Sequence, residues 1–199
     1  MATLAAGRTD AGVHATGQVV HFDTVARRSL RSWLLGVNSN LPPDAALTWI
    51  QPVPADFHAR HSAVGRTYRY VIRNREVRSP LDRDHAWCLR GELSEPRMAA
   101  AGAALLGEHD FSAFRGAGCQ ARSPVRRVDH LAVTRNGEWL DVEVRANGFL
   151  YHMVRNIVGA LVRIGRGEEE PAWIADVLAG RDRRLGAATA PSNGLCLAA

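Results

Sequence analysis

The sequence predicts an α+β fold. Strand-like and helix-like segments are mixed without βαβ regularity, and one Asn136-Gly137 pair joins two long β-rich runs as a hairpin. The elements read in order as follows. Gln18–Phe22 is rich in β formers and predicts a strand. Ser29 caps a helix through Gly36, with Leu30, Trp33 and Leu34 at helical spacing, and Leu41-Pro42-Pro43-Asp44 breaks it. Leu47–Ile50 reads as a short strand closed by Pro52 and Pro54, which sets a domain junction near residue 57. The expected halves are therefore 1–57 and 58–199, the first carrying the loop around Asp10.

The second half opens on Gly65–Arg73, an alternating strand with Arg66, Tyr68, Tyr70 and Ile72 on one face. A helix from Ser94 to Leu106 follows, with Ser94 as cap, Pro96 in its first turn and Gly107 after its end. Val128–Arg135 and Trp139–Arg145 form the hairpin. Helices are expected from Phe149 to Ile164 and from Glu168 to Ala179, and a short strand around Leu195–Leu197.

Composition bounds the function. The 199 residues suffice for one large or two small domains, and hydrophobic content of 46% is ordinary for a globular protein. No apolar run reaches the ~18 residues of a membrane span, and no secretory leader pattern opens the chain. The three cysteines, Cys88, Cys119 and Cys196, form no paired motif, as suits a reducing cytoplasm. His58 and His61 lack further ligands nearby, so no metal site is expected. All 25 basic residues are arginines and the net charge is +5, a balance that suits phosphate contacts.

Four constellations could carry chemistry. Gly7-Arg8-Thr9-Asp10-Ala11-Gly12 sets a carboxylate between a guanidinium and glycines. Asp10 reads either as a turn or cap residue, or as a carboxylate nucleophile kept ionised by Arg and approached closely across small residues. Between Phe149 and Ile164, residues His152, Arg155, Asn156, Gly159 and Arg163 form a polar stripe. It is a solvated face or, given the helical glycine, a surface that something approaches. Tyr68 and Tyr70, with arginines around them, either fill a core or stack on bases. Phe114–Arg127 is a basic loop with glycine hinges, a phosphate clamp or a solvated loop. Walker, dinucleotide, HExxH and GxSxG patterns are missing, which removes most nucleotide-cofactor and metallohydrolase readings.

These blocks, taken in order, resemble the tRNA pseudouridine synthase A family. Gly7–Ala15 with Gly17–Phe22 is similar to its first signature and Arg66–Tyr70 to its tyrosine motif. His109–Phe114, Cys119-Gln120 and Ser123–Arg126 are similar to its middle block, Asn147–Asn156 to its arginine motif, and Ala190-Pro191 with Gly194-Leu195 to its last. The resemblance implies two ferredoxin-like, RRM-like halves with mainly antiparallel sheets and an active-site cleft between them. It also implies a cytoplasmic homodimeric isomerase, without cofactor or metal, acting on uridines 38–40 in the anticodon arm of tRNA. Asp10 would be the nucleophile, Arg155 its partner, Tyr68 the residue stacked on the flipped uracil, and Leu195 the residue packed under the uridine. Arg8, Arg66, Arg122 and Arg126 would bind substrate.

The family's pattern has a strand with a Tyr-Asp-Gly-type motif and a helix before the first signature, and a longer last strand. The expectation is thus a truncated first half, with an alternative reading as an inactive RNA-binding fragment.

Overall fold

The computed structural model describes residues 2–199. It is α+β, and its chain divides into two units, one made of the chain up to Ala6 with Val19–Ala63, the other of Gly7–Gln18 with Val64–Ala199. The junction falls between Ala63 and Val64, not near residue 57. The Asp10 loop packs with the second unit, whereas the sequence reading puts it in the first.

In the first unit, β1 (Leu4–Ala5) pairs antiparallel with β3 (Val20–His21), so only the middle of the expected Gln18–Phe22 strand forms. Helix α1 (Leu30–Asn38) starts as predicted, Ser29 accepting from the Ser32 amide. None of its residues is buried. Leu47–Ile50 is not a strand: the Leu47 amide and carbonyl are both bonded to the Asn38 side chain, which takes the place of a ladder partner.

The second unit is built on a seven-stranded sheet. β2 (His14–Ala15), β9 (Leu195–Leu197), β4 (Arg66–Asn74), β8 (Trp139–Ala146), β7 (Val125–Asn136) and β6 (Gly107–Asp110) follow one another, and β5 (Trp87–Leu89) pairs with the far end of β4. The sheet is mostly antiparallel; β2 runs parallel to β9, and β5 to β4. Alternation along β4 buries Tyr68, Tyr70 and Ile72 as the spacing requires. In the hairpin Asn136 pairs with Trp139, so Gly137 is the first of two loop residues, and its φ of 60° is the left-handed geometry that favours glycine there.

Three helices complete this unit. α2 (Glu95–Ala103) is capped by Ser94 and has Pro96 in its first turn. α3 (Met153–Gly165) begins four residues later than Phe149 because His152, at φ 60°, interrupts the helical backbone. α4 (Trp173–Gly180) also starts late, since Glu168 and Glu169 pair with Arg163 instead of opening a helix. One apolar cluster joins the inner face of the sheet to these helices, and α3 lies buried along almost its whole length.

The polar stripe of α3 is therefore not a solvated face. Asn156 is buried, donating to the Phe114 carbonyl and accepting from Arg183 and the Thr189 hydroxyl. A Cβ on Gly159 would lie 2.0 Å from the Ala188 carbonyl oxygen. The chain's own Ala188–Ala190 backbone is what approaches. Gly159→Ala is expected to lower Tm by roughly 3–10 °C, because overpacking of ~1–3 kcal/mol outweighs the gain in helix propensity. Thermal unfolding checks this, and an unchanged or raised Tm contradicts it.

Candidate active site

The Asp10 loop is closed at its base by one side chain. The Gln18 amide donates to the Gly7 carbonyl at 2.8 Å and its Oε1 accepts from the Gly7 amide at 3.1 Å. At the tip, the Val13 amide donates to the Asp10 carbonyl, with Gly12 at φ 79°. Past the tip, β2 pairs with β9, and the Thr16 and Gly17 amides both donate to the Leu197 carbonyl. β9 in turn pairs with β4, Leu197 opposite Tyr68 and Leu195 opposite Tyr70. This ladder fixes Asp10 relative to the sheet.

The glycines here serve the chain's own packing. A Cβ on Gly7 would meet Leu197 at 3.0 Å and the Tyr68 hydroxyl at 3.5 Å, one on Gly12 the Ser192 hydroxyl, and one on Gly17 the Ala198 carbonyl. They let the loop lie flat on β9 and over Tyr68.

α3 supplies the charge that faces Asp10. Arg155 is anchored by its Nε, which donates to the Ala190 carbonyl at 2.7 Å, and its Nη1 lies 3.4 Å from Asp10 Oδ2. The His152 ring brings Nε2 to 3.1 Å from the same oxygen. All three side chains are only partly exposed, so their mutual attraction is less screened than that of surface pairs. Burial, with Arg155 adding to it, holds the His152 imidazole below its ordinary value, while Asp10 pulls the other way. At neutral pH the ring is therefore neutral.

Tyr68 forms the apolar floor, buried and met edge-on by the Phe149 ring at 5.1 Å. Burial raises its phenol above the ordinary value; Arg66 opposes that shift and Asp10 adds to it. Tyr70, fully buried, donates its hydroxyl to the Pro191 carbonyl and is a core residue. Leu195 is buried beside it, whereas Leu197, which the sequence reading does not single out, is the leucine facing Tyr68 and Gly7.

The expected substrate-binding arginines divide. Arg8 Nη1 donates to Gln120 Oε1, so the loop carrying Asp10 touches the basic segment. Arg66 opens β4 opposite Ala146. Arg122 is exposed. Arg126 donates to the Ser123 and Val125 carbonyls. Arg115 likewise donates to the Cys119 and Ala121 carbonyls, giving the basic segment an internal scaffold. Among the described residues no cluster of three or more His, Cys, Asp or Glu could hold a metal ion, and no helix is long and apolar enough to cross a membrane.

The structure thus sets a carboxylate against an arginine and a histidine above a tyrosine floor, on a mainly antiparallel sheet. Residues 101–199 match a family model described as tRNA pseudouridine synthase. Proteins named tRNA pseudouridine synthase A are similar along nearly the whole chain. That of Vibrio parahaemolyticus is 52% identical over 192 residues, covering 96% of this chain and 73% of the relative. Those of Nitrosococcus oceani and Coxiella burnetii are each 52% identical, covering 98% and 96% of this chain and 75% and 74% of the relative. The chain belongs to the tRNA pseudouridine synthase A family.

The environment of Tyr68 makes a direct test. Its phenolate absorbance, taken as parent minus Tyr68→Phe, is expected to develop above pH 10. The folded state holds this proton more tightly than the unfolded chain, so the stability it contributes is present below pH 10 and is lost as pH rises beyond it. Ionisation at or below pH 10 contradicts the burial described.

Proposed function

We propose that this chain isomerises uridine to pseudouridine in the anticodon arm of tRNA, at positions 38–40, as a cytoplasmic homodimer. The observation that carries the reading is the pairing of Asp10 with Arg155 beside Tyr68, three residues brought together from distant parts of the sequence. Family membership supports it, since the relatives bear the name tRNA pseudouridine synthase A.

The chemistry needs little besides positioning. The C1′–N1 glycosidic bond breaks, the uracil turns, C1′ bonds to C5, the C5 proton leaves and N1 takes one up. The departing base is also the incoming group, so the site must hold it against the sugar while Asp10, as nucleophile, bonds to the nucleoside and is released again before product leaves. Arg155 keeps the Asp10 carboxylate ionised and oriented. Tyr68 stacks on the extruded uracil, and its phenol, neutral at working pH, is available for proton transfer. Leu195, with Leu197 beside it, packs the apolar underside of the uridine.

A paired base is reachable only after flipping, which costs a few kcal/mol. Phosphate contacts from Arg8, Arg66, Arg122 and Arg126, on a chain of net charge +5, offset that cost.

Unmodified tRNA incubated with the protein and analysed for pseudouridine tests the reading. The parent is expected to form product and Asp10→Asn to lose at least about 10³-fold in rate while still binding tRNA. Binding by both without product would give the alternative, an RNA-binding fragment. Arg155→Ala is expected to lower kcat by about 10- to 100-fold, the worth of one charge-assisted contact of roughly 1.5–3 kcal/mol, with a smaller effect on affinity. Equal loss of turnover and binding, from kcat and Kd measured together, contradicts that role.

A further inference from the structure

We propose that His152 is a positioning residue for the nucleophile: its Nε2–H donates to Asp10 Oδ2, so that with Arg155 it immobilises one carboxylate oxygen and presents Oδ1 to the nucleoside. This rests on the chemistry proposed above and names a second partner of its central carboxylate.

Four observations carry it. First, both contacts fall on the same oxygen. Nε2 lies 3.1 Å and Arg155 Nη1 3.4 Å from Oδ2, so both side chains approach the carboxylate at the same atom. Second, His152 is one of two non-glycine residues with positive φ among the described residues. A left-handed conformation costs on the order of 1–2 kcal/mol per residue outside glycine, and such outliers cluster at functional sites. His152 occupies the cap position of α3, yet its side chain makes no capping bond. The side chain that could cap the helix is turned to Asp10 instead.

Third, the ring plane is fixed. It stacks on Tyr151 with centroids 3.8 Å apart and an interplanar angle of 25°. A Cβ on Gly116 would come within 3.0 Å of His152 Cβ, so the Gly116 backbone packs against the base of this side chain. Fourth, the charges around the ring set its state. Asp10 faces it from the loop, Arg155 from its own helix, Arg183 from the segment after α4, and Tyr151 stacks on it. Burial and the two arginines disfavour a third cation, and Asp10 alone favours one. A neutral ring with its proton on Nε2 donates to the carboxylate without neutralising its charge. That arrangement orients a nucleophile and leaves it reactive.

A purely structural role for His152 would be served by any side chain that fills the same space. The test therefore has two arms. In the first, protein carrying ¹⁵N-labelled histidine is titrated by NMR. The Nε2–H tautomer is expected at pH 7, with an apparent pKa below 6.5 that falls further in Asp10→Asn, where the charge opposing the arginines is gone. The Nδ1–H tautomer, or a titration indifferent to Asp10→Asn, overturns the proposal.

In the second arm, pseudouridine formation is compared in three proteins. His152→Ala is expected to lower kcat about 10²-fold with KM changed less than threefold. His152→Gln, whose amide places an N–H where Nε2 stood, is expected to recover most of that loss and to remove the acid-side decline that begins below pH 6.5. An unchanged kcat in His152→Ala, or a glutamine variant no better than alanine, overturns it. A parent without product speaks against the proposed reaction, while the NMR arm still decides whether His152 holds Asp10.

Discussion

The three residues of β9 hold together parts of the chain that lie far apart in sequence. Leu195–Leu197 pairs with β4 on one side and with β2 on the other, and the loop ending in β2 carries Asp10. Without that ladder nothing local would keep a turn at residue 10 against a helix that starts at residue 153. The glycines at 7, 12 and 17 are the complement of this constraint. A side chain at 17 would collide with the Ala198 backbone, and one at 7 or 12 would press on the Leu197 or Ser192 side chain, so small residues let the loop seat on β9. A three-residue strand, paired on both sides, thus supports the loop that carries Asp10.

On that support, charge does the rest. A half-buried carboxylate needs partners, and α3 provides two. Arg155 could not serve Asp10 if it were free to wander. Its Nε bond to the Ala190 carbonyl holds it, and the approach of the Ala188–Ala190 backbone to Gly159 holds that carbonyl. Asn156, bonded to Phe114, Arg183 and Thr189, locks the same segment from the next position along the helix. The polar residues of α3 therefore form one connected arrangement, in which partners outside the site fix those inside it.

Much of this was legible from residue order alone, and the misses have a common cause. Alternation along Arg66–Asn74, the Asn136-Gly137 turn, the Ser94 cap and the Leu195–Leu197 strand are local signals, and each element forms where its residues say. The late start of α3 was hidden because nothing in a histidine announces a left-handed backbone. Leu47–Ile50 has strand composition, but the Leu47 amide and carbonyl go to Asn38. The place of the Asp10 loop in the second unit depends on pairing with the far end of the chain, which no window of sequence displays. Asp10, Tyr68 and Arg155 were found through motifs and lie together. Leu197 and the role of His152 emerge only from register and distance.

The proposed chemistry requires Asp10 to be the group that meets the nucleoside. Mass spectrometry of the protein after incubation with tRNA containing 5-fluorouridine addresses this most directly, with proteolysis to map any covalently attached nucleotide. The result predicted is an adduct on the peptide containing Asp10. Attachment at another residue, or no adduct while pseudouridine accumulates in ordinary tRNA, would contradict it.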